Sequence, residues 1–578
     1  MSDQQNIRLT LGDWQWNASI VGFINIVGKD NVHFNEDSIE FPISLLDGFE
    51  EKYFEYLIST YLQTLSWYRI TSVKSKLEKY QKELDNFDLE SLKELNGHIK
   101  YFKEQLKSSS YKSAYKLIGS ETKILGLEKS LKTIGEPKNS TLFEKNKTKL
   151  LGQASQNISA MKQVIDYCLQ PEAKRYIAAK NVIYNIIKHA WNNVSFLNGQ
   201  TQEKDMYINY REHFVDAVIE HTHARKNRFK QKCIVCDSLI GGSYINDMYF
   251  LNGAGFDVNK KPSNGWNFQN DIIICPLCKL IYSCLPAGIA YVYGRGIYVN
   301  ANMTAESAFN INHSVKSKIL AEVNNRAIYA SLVNSLHQQE NNSYRYEFID
   351  IQVVRFENNS YRFNILSRKM LEILVEFQKD LDKLTKTVIV SKGKNKSVFY
   401  IHNDVVSRIV NNQNLFPVIH RLLHHKISKP EECYYNSSHL FHLIKINQAI
   451  YKSLGGMKLK EIKEEQNLIH QAKTAGYLVR IKYQEKDSEN KLPGICYRLL
   501  NALKTSNKNM FMDVALNCYL YIKSSVPWVI TDSLSNDKDF STMGYAFVAS
   551  LIDDSDKKSN GSSENKEENN EVQIKEEL

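Results

Sequence analysis

Two pairs of cysteines carry the clearest chemistry in this sequence. Cys233 and Cys236 form one C-x-x-C motif, and Cys275 and Cys278 form a second. Each motif turns two sulfurs toward one point, and two motifs supply the four thiolates of a structural zinc ion, with Zn–S distances of about 2.3 Å. Because protein sulfur would fill all four positions, no position stays open for a catalytic water. We therefore predict a structural Zn²⁺ at these four cysteines.

The spacing of the two motifs predicts an insertion between them. The gap is 38 residues, longer than the roughly 15–20 residues of an ordinary zinc ribbon. Cys284 lies close enough to replace Cys278, but its spacing is wrong for a zinc knuckle. Four unrelated thiols are the alternative to a metal site. An odd total of nine cysteines favours a reducing compartment over a disulfide framework.

Three basic segments are candidates for nucleic-acid contacts. The first lies directly before the first cysteine motif and contains five cations in eight residues with one aromatic side chain, a composition that can follow a phosphate backbone. The second lies between the motifs, where lysine and asparagine side chains can contact base edges. The third is a loop between two β-rich runs. The candidate residues are Arg225, Lys226, Arg228, Lys230 and Lys232; Lys260, Lys261 and Asn264; and Lys392, Lys394 and Lys396.

Each basic segment also has a purely structural explanation. Residues 225–232 could be a solvated helix end, where cations interact favourably with the helix dipole. The segment around Lys260 could be an ordinary exposed turn, and the loop around Lys392 a hairpin tip that faces water.

No motif in the sequence predicts catalysis. His420 and His424 are spaced as in an H-x-x-x-H pair, but Arg421 stands where the HExxH motif requires glutamate. There is no P-loop, and there is no Gly-x-Ser-x-Gly nucleophile turn. We therefore expect a protein that is not an enzyme.

The elements that must hold these residues are mostly helical. At about 100–200 residues per domain, 578 residues predict three or four units. Apolar spacing of three and four residues predicts helices over most of 46–231 and 403–551, and β-rich runs predict strands near 289–299, 343–363 and 387–401. We expect a mainly α, multidomain protein with smaller α+β parts. The predicted regions are 1–135 (an α+β start and long helices), 136–232 (helical), 233–300 (zinc-binding insertion and strand), 301–402 (α+β), 403–552 (C-terminal helical bundle) and 553–578 (disordered acidic tail).

The charge of the chain favours a polyanionic partner. The net charge is +10, and the last 26 residues carry nine acids and four bases, so the remainder is near +15. A basic body suggests a polyanion as partner. The sequence begins without the basic and apolar regions of a signal peptide, and no apolar run approaches the ~18 residues of a membrane span. We expect a cytoplasmic protein with no membrane contact.

Several segments together resemble a known family. Residues 14–23 read WQWNASIVGF, the second cysteine motif leads to LPAG at 285–288, and YRLLNALK at 497–504 precedes NMFMD at 509–513. With the cysteine quartet and its long insertion, the chain resembles the CXXC–CXXC family of CRISPR-associated proteins, the large subunit of the type I-B effector complex (Cascade).

The resemblance implies a role in binding. The large subunit would inspect the short protospacer-adjacent motif in duplex DNA, help to open the duplex and recruit a separate helicase–nuclease, while CRISPR RNA reads the target by pairing. The implied partners are CRISPR RNA, target DNA and the backbone and guide-end-binding subunits. The helical C-terminal region resembles a small-subunit bundle, for which Met457 is a candidate internal start. The family supplies no motif that assigns base-reading residues here.

Two other functions remain open from the residues alone. One is a stand-alone nuclease that combines a structural zinc with scattered Asp, Glu and His side chains. The other is a helical scaffold whose positive charge is incidental.

Overall fold

The computed structural model describes residues 6–83, 86–254, 273–292, 294–300, 304–321, 351–357, 359–391, 397–455, 467–535 and 537–552. The chain divides into two compact units. The N-terminal unit comprises Met1–Val323 and Val353–Phe363, and the C-terminal unit comprises Asn324–Gln352 and Asn364–Leu578.

The N-terminal unit is mainly helical. Two of its helices continue through π-helical turns at Ile183–Ile187 and Arg211–Asp216. Its α-helices are Trp14–Val27, Phe49–Tyr61, Ser66–Thr71, Lys74–Lys82, Leu89–Leu106, Ser109–Ile118, Glu121–Ser130, Ser140–Lys145, Lys147–Cys168, Pro171–Val182, Lys188–Ala190, Met206–Tyr210, Ala217–His223, Pro276–Ser283, Leu285–Gly288 and Ala305–Ala321.

Short sheets join these helices. An antiparallel sheet of three strands has Ser38–Pro42 between Asn6–Thr10 and His33–Phe34. A sheet of four strands has the spatial order Ser360–Leu366, Ile351–Glu357, Arg295–Asn300 and Ala290–Val292. Two further ladders of two strands each pair Gln231–Lys232 with Leu239–Ile240, and Asn246–Asp247 with Ile273–Ile274.

Helix Trp14–Val27 forms the centre of one hydrophobic core. Asp13 caps its start, where the carboxylate accepts a hydrogen bond from Trp16 N at 2.9 Å. The Trp16 indole donates to Thr10 O at 2.8 Å and packs against Tyr282, with ring centroids 5.1 Å apart. Almost every residue of this helix is buried, as expected for a helix that is apolar all round.

Two glycines let this helix touch its neighbour backbone to backbone. A Cβ atom on Gly22 would overlap the carbonyl of Cys284 and lie 2.8 Å from Gly288 N. A Cβ atom on Gly288 would overlap the carbonyl of Ala18 and lie 3.2 Å from Gly22 N. Helix Trp14–Val27 and helix Leu285–Gly288 therefore cross at a distance that only glycine permits at both positions.

A buried lysine borders the same contact. The Lys316 ammonium donates to Ala287 O and, at 3.2 Å, to Tyr56 OH. Burial lowers its pKa from the ordinary 10.5 to about 7. The side chain therefore supplies a donor to the end of helix Leu285–Gly288 at an electrostatic cost.

A second hydrophobic core of the N-terminal unit lies among the helices between Ser66 and Val182. The Trp67 indole donates to Cys168 O at 2.8 Å in its interior. Asn181 Oδ1 accepts from Ser66 Oγ at 2.7 Å and from Trp67 N at 3.0 Å. These bonds satisfy polar groups at the start of helix Ser66–Thr71, which has no side-chain cap of its own.

The C-terminal unit is a helical bundle with one small sheet. Strand Val388–Ser391 pairs antiparallel with Ser397–Tyr400 and with Cys433–Tyr434. Gly476 brings helix Asn467–Glu485 against the backbone of Phe547. The helices of this unit are Arg368–Glu376, Gln378–Leu384, Ile401–Val410, Phe416–Ser428, Ser437–Leu454, Asn467–Glu485, Leu492–Lys504, Lys508–Ile522, Trp528–Asp532 and Asp537–Leu551.

The fold class predicted from the sequence is confirmed. The chain is mainly helical with small sheets, and the C-terminal region is a helical bundle. The predicted hairpin around 387–401 is present, and Asn359 lies at the turn between two strands with a left-handed φ of 57°. The predicted tail 553–578 and Met457 lie outside the described residues, and the predicted domain boundaries remain a prediction. In the described part of the chain, no helix has the length and apolar content needed to cross a bilayer.

We expect Gly22→Ala and Gly288→Ala each to destabilise the N-terminal unit. The added methyl group meets backbone atoms, which cannot rotate away, so the free energy of unfolding should fall by about 1–3 kcal/mol. Urea unfolding followed by tryptophan fluorescence measures the change. The double variant should lose less than the sum, because both methyl groups disturb one contact.

Gly97→Ala is the matched control for the glycine pair. Gly97 lies in helix Leu89–Leu106, and a Cβ atom there meets nothing within 4 Å. Alanine should therefore raise stability by about 1 kcal/mol through helix propensity. A Gly22→Ala variant as stable as the wild type would contradict the backbone contact.

Lys316→Met should remove a pH dependence of stability. Above pH 7 the folded protein releases the Lys316 proton while the unfolded chain keeps it up to 10.5. The unfolded state then binds more protons, so wild-type stability should rise with pH across this window, by at most about 1.4 kcal/mol per pH unit. The methionine variant lacks this rise. Urea unfolding of both proteins between pH 7 and about 9 tests this linkage, and parallel pH profiles would contradict it.

Candidate metal centre

The first cysteine motif lies at the tip of a short β-hairpin. Strands Gln231–Lys232 and Leu239–Ile240 pair antiparallel, and Cys233 N donates to Ser238 O at 2.9 Å across the turn. Asp237 N then donates to Cys233 O at 2.9 Å, with Asp237 at a φ of 57°. The hairpin therefore fixes the backbone that carries Cys233 and Cys236.

The second cysteine motif lies at the start of a helix. Cys275 follows strand Ile273–Ile274 and caps helix Pro276–Ser283, and its sulfur accepts from Cys278 N at 3.4 Å. The positive end of the helix dipole stabilises a thiolate at this position. The two motifs are joined directly, since Ile234 N donates to Ile273 O at 3.1 Å.

The four sulfurs converge on one point. All four Sγ atoms lie within 4.8 Å of one another, and those of Cys236 and Cys275 are 3.6 Å apart. A tetrahedron with Zn–S bonds of about 2.3 Å has edges of about 3.8 Å, whereas a disulfide bond is about 2.05 Å long. The spacing therefore fits a bound metal ion and does not fit disulfides.

The chemistry of this donor set also fits zinc. Cys233, Cys275 and Cys278 are buried and Cys236 is half-buried. Hydrogen bonding with Cys236 lowers the pKa of Cys233, and hydrogen bonding with Cys233 raises the pKa of Cys275 and of Cys278. Without a cation, the first thiolate makes further ionisation unfavourable, because like charges repel at this distance. A divalent soft cation would remove that repulsion and hold all four thiolates.

Buried side chains position the second motif from below. The carbonyl of Ser283, at the end of helix Pro276–Ser283, accepts from Tyr53 OH and from the Trp191 indole, each at 3.0 Å. The Ser283 hydroxyl lies 2.6 Å from Tyr210 OH. Sequence reasoning missed these three partners, since nothing in their local sequence links them to a cysteine motif. Cys284 is buried beside them and stays outside the sulfur cluster, where its thiol donates to Leu280 O at 3.4 Å.

The basic segment before the hairpin is an irregular turn. Helix Ala217–His223 ends before Arg225, and a 3-10 turn at Lys226–Arg228 leads to the first strand. Residues 225–232 therefore lie beyond the helix, which rules out the alternative of a solvated helix end for this segment. Phe229 anchors the turn, because its ring stacks on that of His221 with the ring centroids 5.9 Å apart. It also packs closely on Gly241, where an added Cβ atom would lie 3.3 Å from Phe229 Cα.

The cations of this segment face solvent. Arg225, Lys226, Lys230 and Lys232 are exposed, and none of these four forms an ion pair within the described part of the chain. The backbone of Arg228 lies in the turn. Four exposed cations therefore lie within eight residues of Cys233.

The other predicted basic residues fall outside the described residues. These are Lys260, Lys261 and Asn264 between the motifs, and Lys392, Lys394 and Lys396 in the hairpin loop. His420 and His424 lie one turn apart on helix Phe416–Ser428, with ring centroids 6.4 Å apart. Among the described residues, the cysteine quartet is the group of three or more potential ligands close enough to hold one ion.

Cys233→Ser and Cys275→Ser should each abolish stoichiometric zinc binding. Loss of one thiolate leaves three sulfurs and an incomplete shell, and metal binding and local folding are coupled. Elemental analysis should give about one zinc per wild-type chain and little in either variant. Cys433→Ser is the control, because Cys433 is a half-buried thiol of the C-terminal unit outside the cluster. Wild-type protein that folds with less than about half an equivalent of zinc would contradict the site.

Comparison with known proteins finds a family that matches part of the chain. The family model for CRISPR-associated protein (Cas_CXXC_CXXC) matches residues 226–290, which contain both cysteine motifs, most of the basic segment and Gly288. No curated protein and no solved structure matches the chain. The match agrees with the resemblance inferred from the sequence: residues 226–290 are similar to the CXXC–CXXC family of CRISPR-associated proteins.

Proposed function

We propose that this chain is the large subunit of a type I-B Cascade complex. In this role it recognises the protospacer-adjacent motif in duplex DNA, supports opening of the target and recruits the helicase–nuclease in antiviral defence. The observation that carries the proposal is the position of the family match, which covers the cysteine quartet together with the exposed basic segment.

The basic segment is suited to hold a DNA backbone in a fixed place. Its cations contribute the salt-dependent attraction to phosphates that underlies most nucleic-acid affinity. The hairpin that follows it is clamped by the sulfur cluster, and Phe229 fixes the turn itself. A rigid basic turn pays less conformational entropy on binding than a mobile one, so phosphate contacts here would position the protein for inspection of nearby bases.

The division of labour in such a complex explains the need for this rigidity. Pairing with CRISPR RNA reads the target sequence, and the protein reads only a short motif and the duplex shape. Lys260, Lys261 and Asn264 have side chains that can contact base edges, and they fall inside the matched segment. We propose them as motif-reading residues, and we propose CRISPR RNA, target DNA and the other Cascade subunits as partners in the cytoplasm.

We further propose that the chain is not an enzyme. A site that surrounds zinc with four protein sulfurs serves structure, because catalytic zinc keeps a position for water or substrate. Cleavage of the target is then the task of the separate helicase–nuclease.

Motif-dependent DNA binding of the reconstituted complex tests the proposal. Complex assembled with this chain should bind target duplex that carries the motif and should discriminate against duplex without it, and complex assembled without the chain should lose the discrimination. The triple variant Arg225→Gln, Lys226→Gln, Lys230→Gln should bind more weakly. Each lost phosphate contact lowers the slope of log affinity against log salt concentration by about 0.9, so this slope should be shallower by about three units.

Lys100→Gln with Lys129→Gln is the control for this variant; it removes two positive charges where the test variant removes three, so the effects are compared per charge removed. Both lysines are exposed on helices of the N-terminal unit remote in sequence from the metal centre, and neither has an ion-pair partner in the described ranges. Equal discrimination with and without the chain would overturn the proposal. Cleavage of single-stranded DNA or RNA by the purified chain with Mg²⁺ or Mn²⁺ would favour a nuclease instead.

A further inference from the structure

A row of six rings crosses the bundle of the C-terminal unit. Neighbouring ring centroids are 5.5, 5.3, 6.1, 6.4 and 5.7 Å apart, within the range of favourable aromatic pairs. In spatial order the rings are Tyr451, Phe416, Tyr545, His420, His424 and Tyr497. The row begins among packed helices and ends in solvent, because Tyr545 is buried, His420 is half-buried, and His424 and Tyr497 are exposed.

The exposed end of the row is built by two helices that pack together. His420 and His424 lie one turn apart on Phe416–Ser428, and Tyr497 lies on Leu492–Lys504. Tyr545 OH lies 3.4 Å from His420 Nδ1 and fixes that ring. Tyr497 keeps 48% of its area exposed, so it leaves a large aromatic face at the surface.

These two helices carry cations and no carboxylate. Neither Phe416–Ser428 nor Leu492–Lys504 contains aspartate or glutamate. Arg421, Arg498 and Lys504 are exposed, and none of them forms an ion pair within the residues that the structure describes. Arg421 is held in place by Phe399, with its guanidinium 4.0 Å from the ring centroid. Burial is the main cause of the lowered pKa of His420, and the positive charge of Lys504 is the second. Lys504 therefore lies close enough to the ring row to act on it electrostatically.

Exposed rings on helices that also carry exposed cations fit one class of ligand. Proteins that bind single-stranded nucleic acid stack successive bases on aromatic side chains and meet the backbone with a positive surface. Base–aromatic stacking tolerates any sequence, because every base has a π face. An apolar protein partner would leave the three cations buried and unpaired, which is unfavourable.

We propose that His420, His424 and Tyr497 form a stacking surface for unpaired bases of a single-stranded nucleic acid, with Arg421, Arg498 and Lys504 at its phosphates. This inference rests on the proposed function, because opening of the target duplex supplies the unpaired strand that the surface would bind. The spacing of His420 and His424 by itself would suggest a metal site. These histidines lack a third metal ligand in the described ranges, so the structure favours a nucleic-acid ligand at this end of the ring row.

Fluorescence anisotropy with the full-length chain tests this surface. The probe is a fluorescein-labelled oligothymidylate of about 20 nucleotides, longer than one site of this type. Tyr497→Leu should weaken binding about fivefold or more, the lower limit for loss of one base–aromatic stack, and Tyr497→Phe should bind like the wild type because it keeps the ring. Lys504→Gln should make the log–log salt slope shallower by about 0.7.

Trp528→Leu and Lys482→Gln are the matched controls. Trp528 is 63% exposed in the same unit and outside the row, and Lys482 is paired with Glu485; both variants should bind like the wild type. Equal binding by Tyr497→Leu, equal weakening by Trp528→Leu, or a wild-type chain that does not bind the oligothymidylate would each overturn the surface. If one of these results is found but the complex still discriminates the motif, the proposed function stays intact and only the surface is overturned. If the surface binds as expected but the complex does not discriminate the motif, only the proposed function is overturned.

Discussion

The contact between Gly22 and Gly288 determines how the metal centre is attached to the N-terminal unit. Helix Leu285–Gly288 follows helix Pro276–Ser283, which carries the second cysteine motif at its start, after one intervening residue, and it lies against helix Trp14–Val27 at a distance that excludes any side chain at either glycine. This contact cannot adjust to an added side chain, because backbone atoms cannot move away by adopting another rotamer. The centre is therefore fixed to a helix that is itself largely buried in the core.

The surroundings of this contact are organised to satisfy the polar groups it buries. Ser283 O receives donors from Tyr53 and Trp191, and Ala287 O receives the ammonium of Lys316. Carbonyls at the ends of short helices have no intrahelical partner, and buried ones are costly unless a donor reaches them. The aromatic core around helix Pro276–Ser283 thus supplies both apolar contact and the required donors. A lysine is an expensive donor for this purpose, as the pKa of about 7 for Lys316 indicates.

The sulfur cluster and the exposed basic turn are connected through the same β-hairpin. The cluster joins a hairpin to the start of a helix, and the turn at 225–230 leads directly into the first strand of that hairpin. The exposed cations therefore lie only a few residues along the chain from the backbone that the cysteine hairpin fixes. In the C-terminal unit, packed rings hold His420 and lead to the exposed Tyr497. In both units a fixed scaffold carries positive charge into solvent.

The sequence by itself determined the four clustered cysteines, the resemblance to a CRISPR-associated family and the fold class. Cysteine spacing is local, and the helical and β-rich patterns depend on neighbours a few residues apart, so Cys233, Cys278 and the hairpin near 387–401 were predictable. Only the tertiary structure decided that Gly22 meets Gly288 and that His424 meets Tyr497. These pairs are separated by hundreds and by tens of residues, and no periodic pattern connects them. Their interaction depends on how helices pack, which is set by the summed burial of many side chains and not by any one motif.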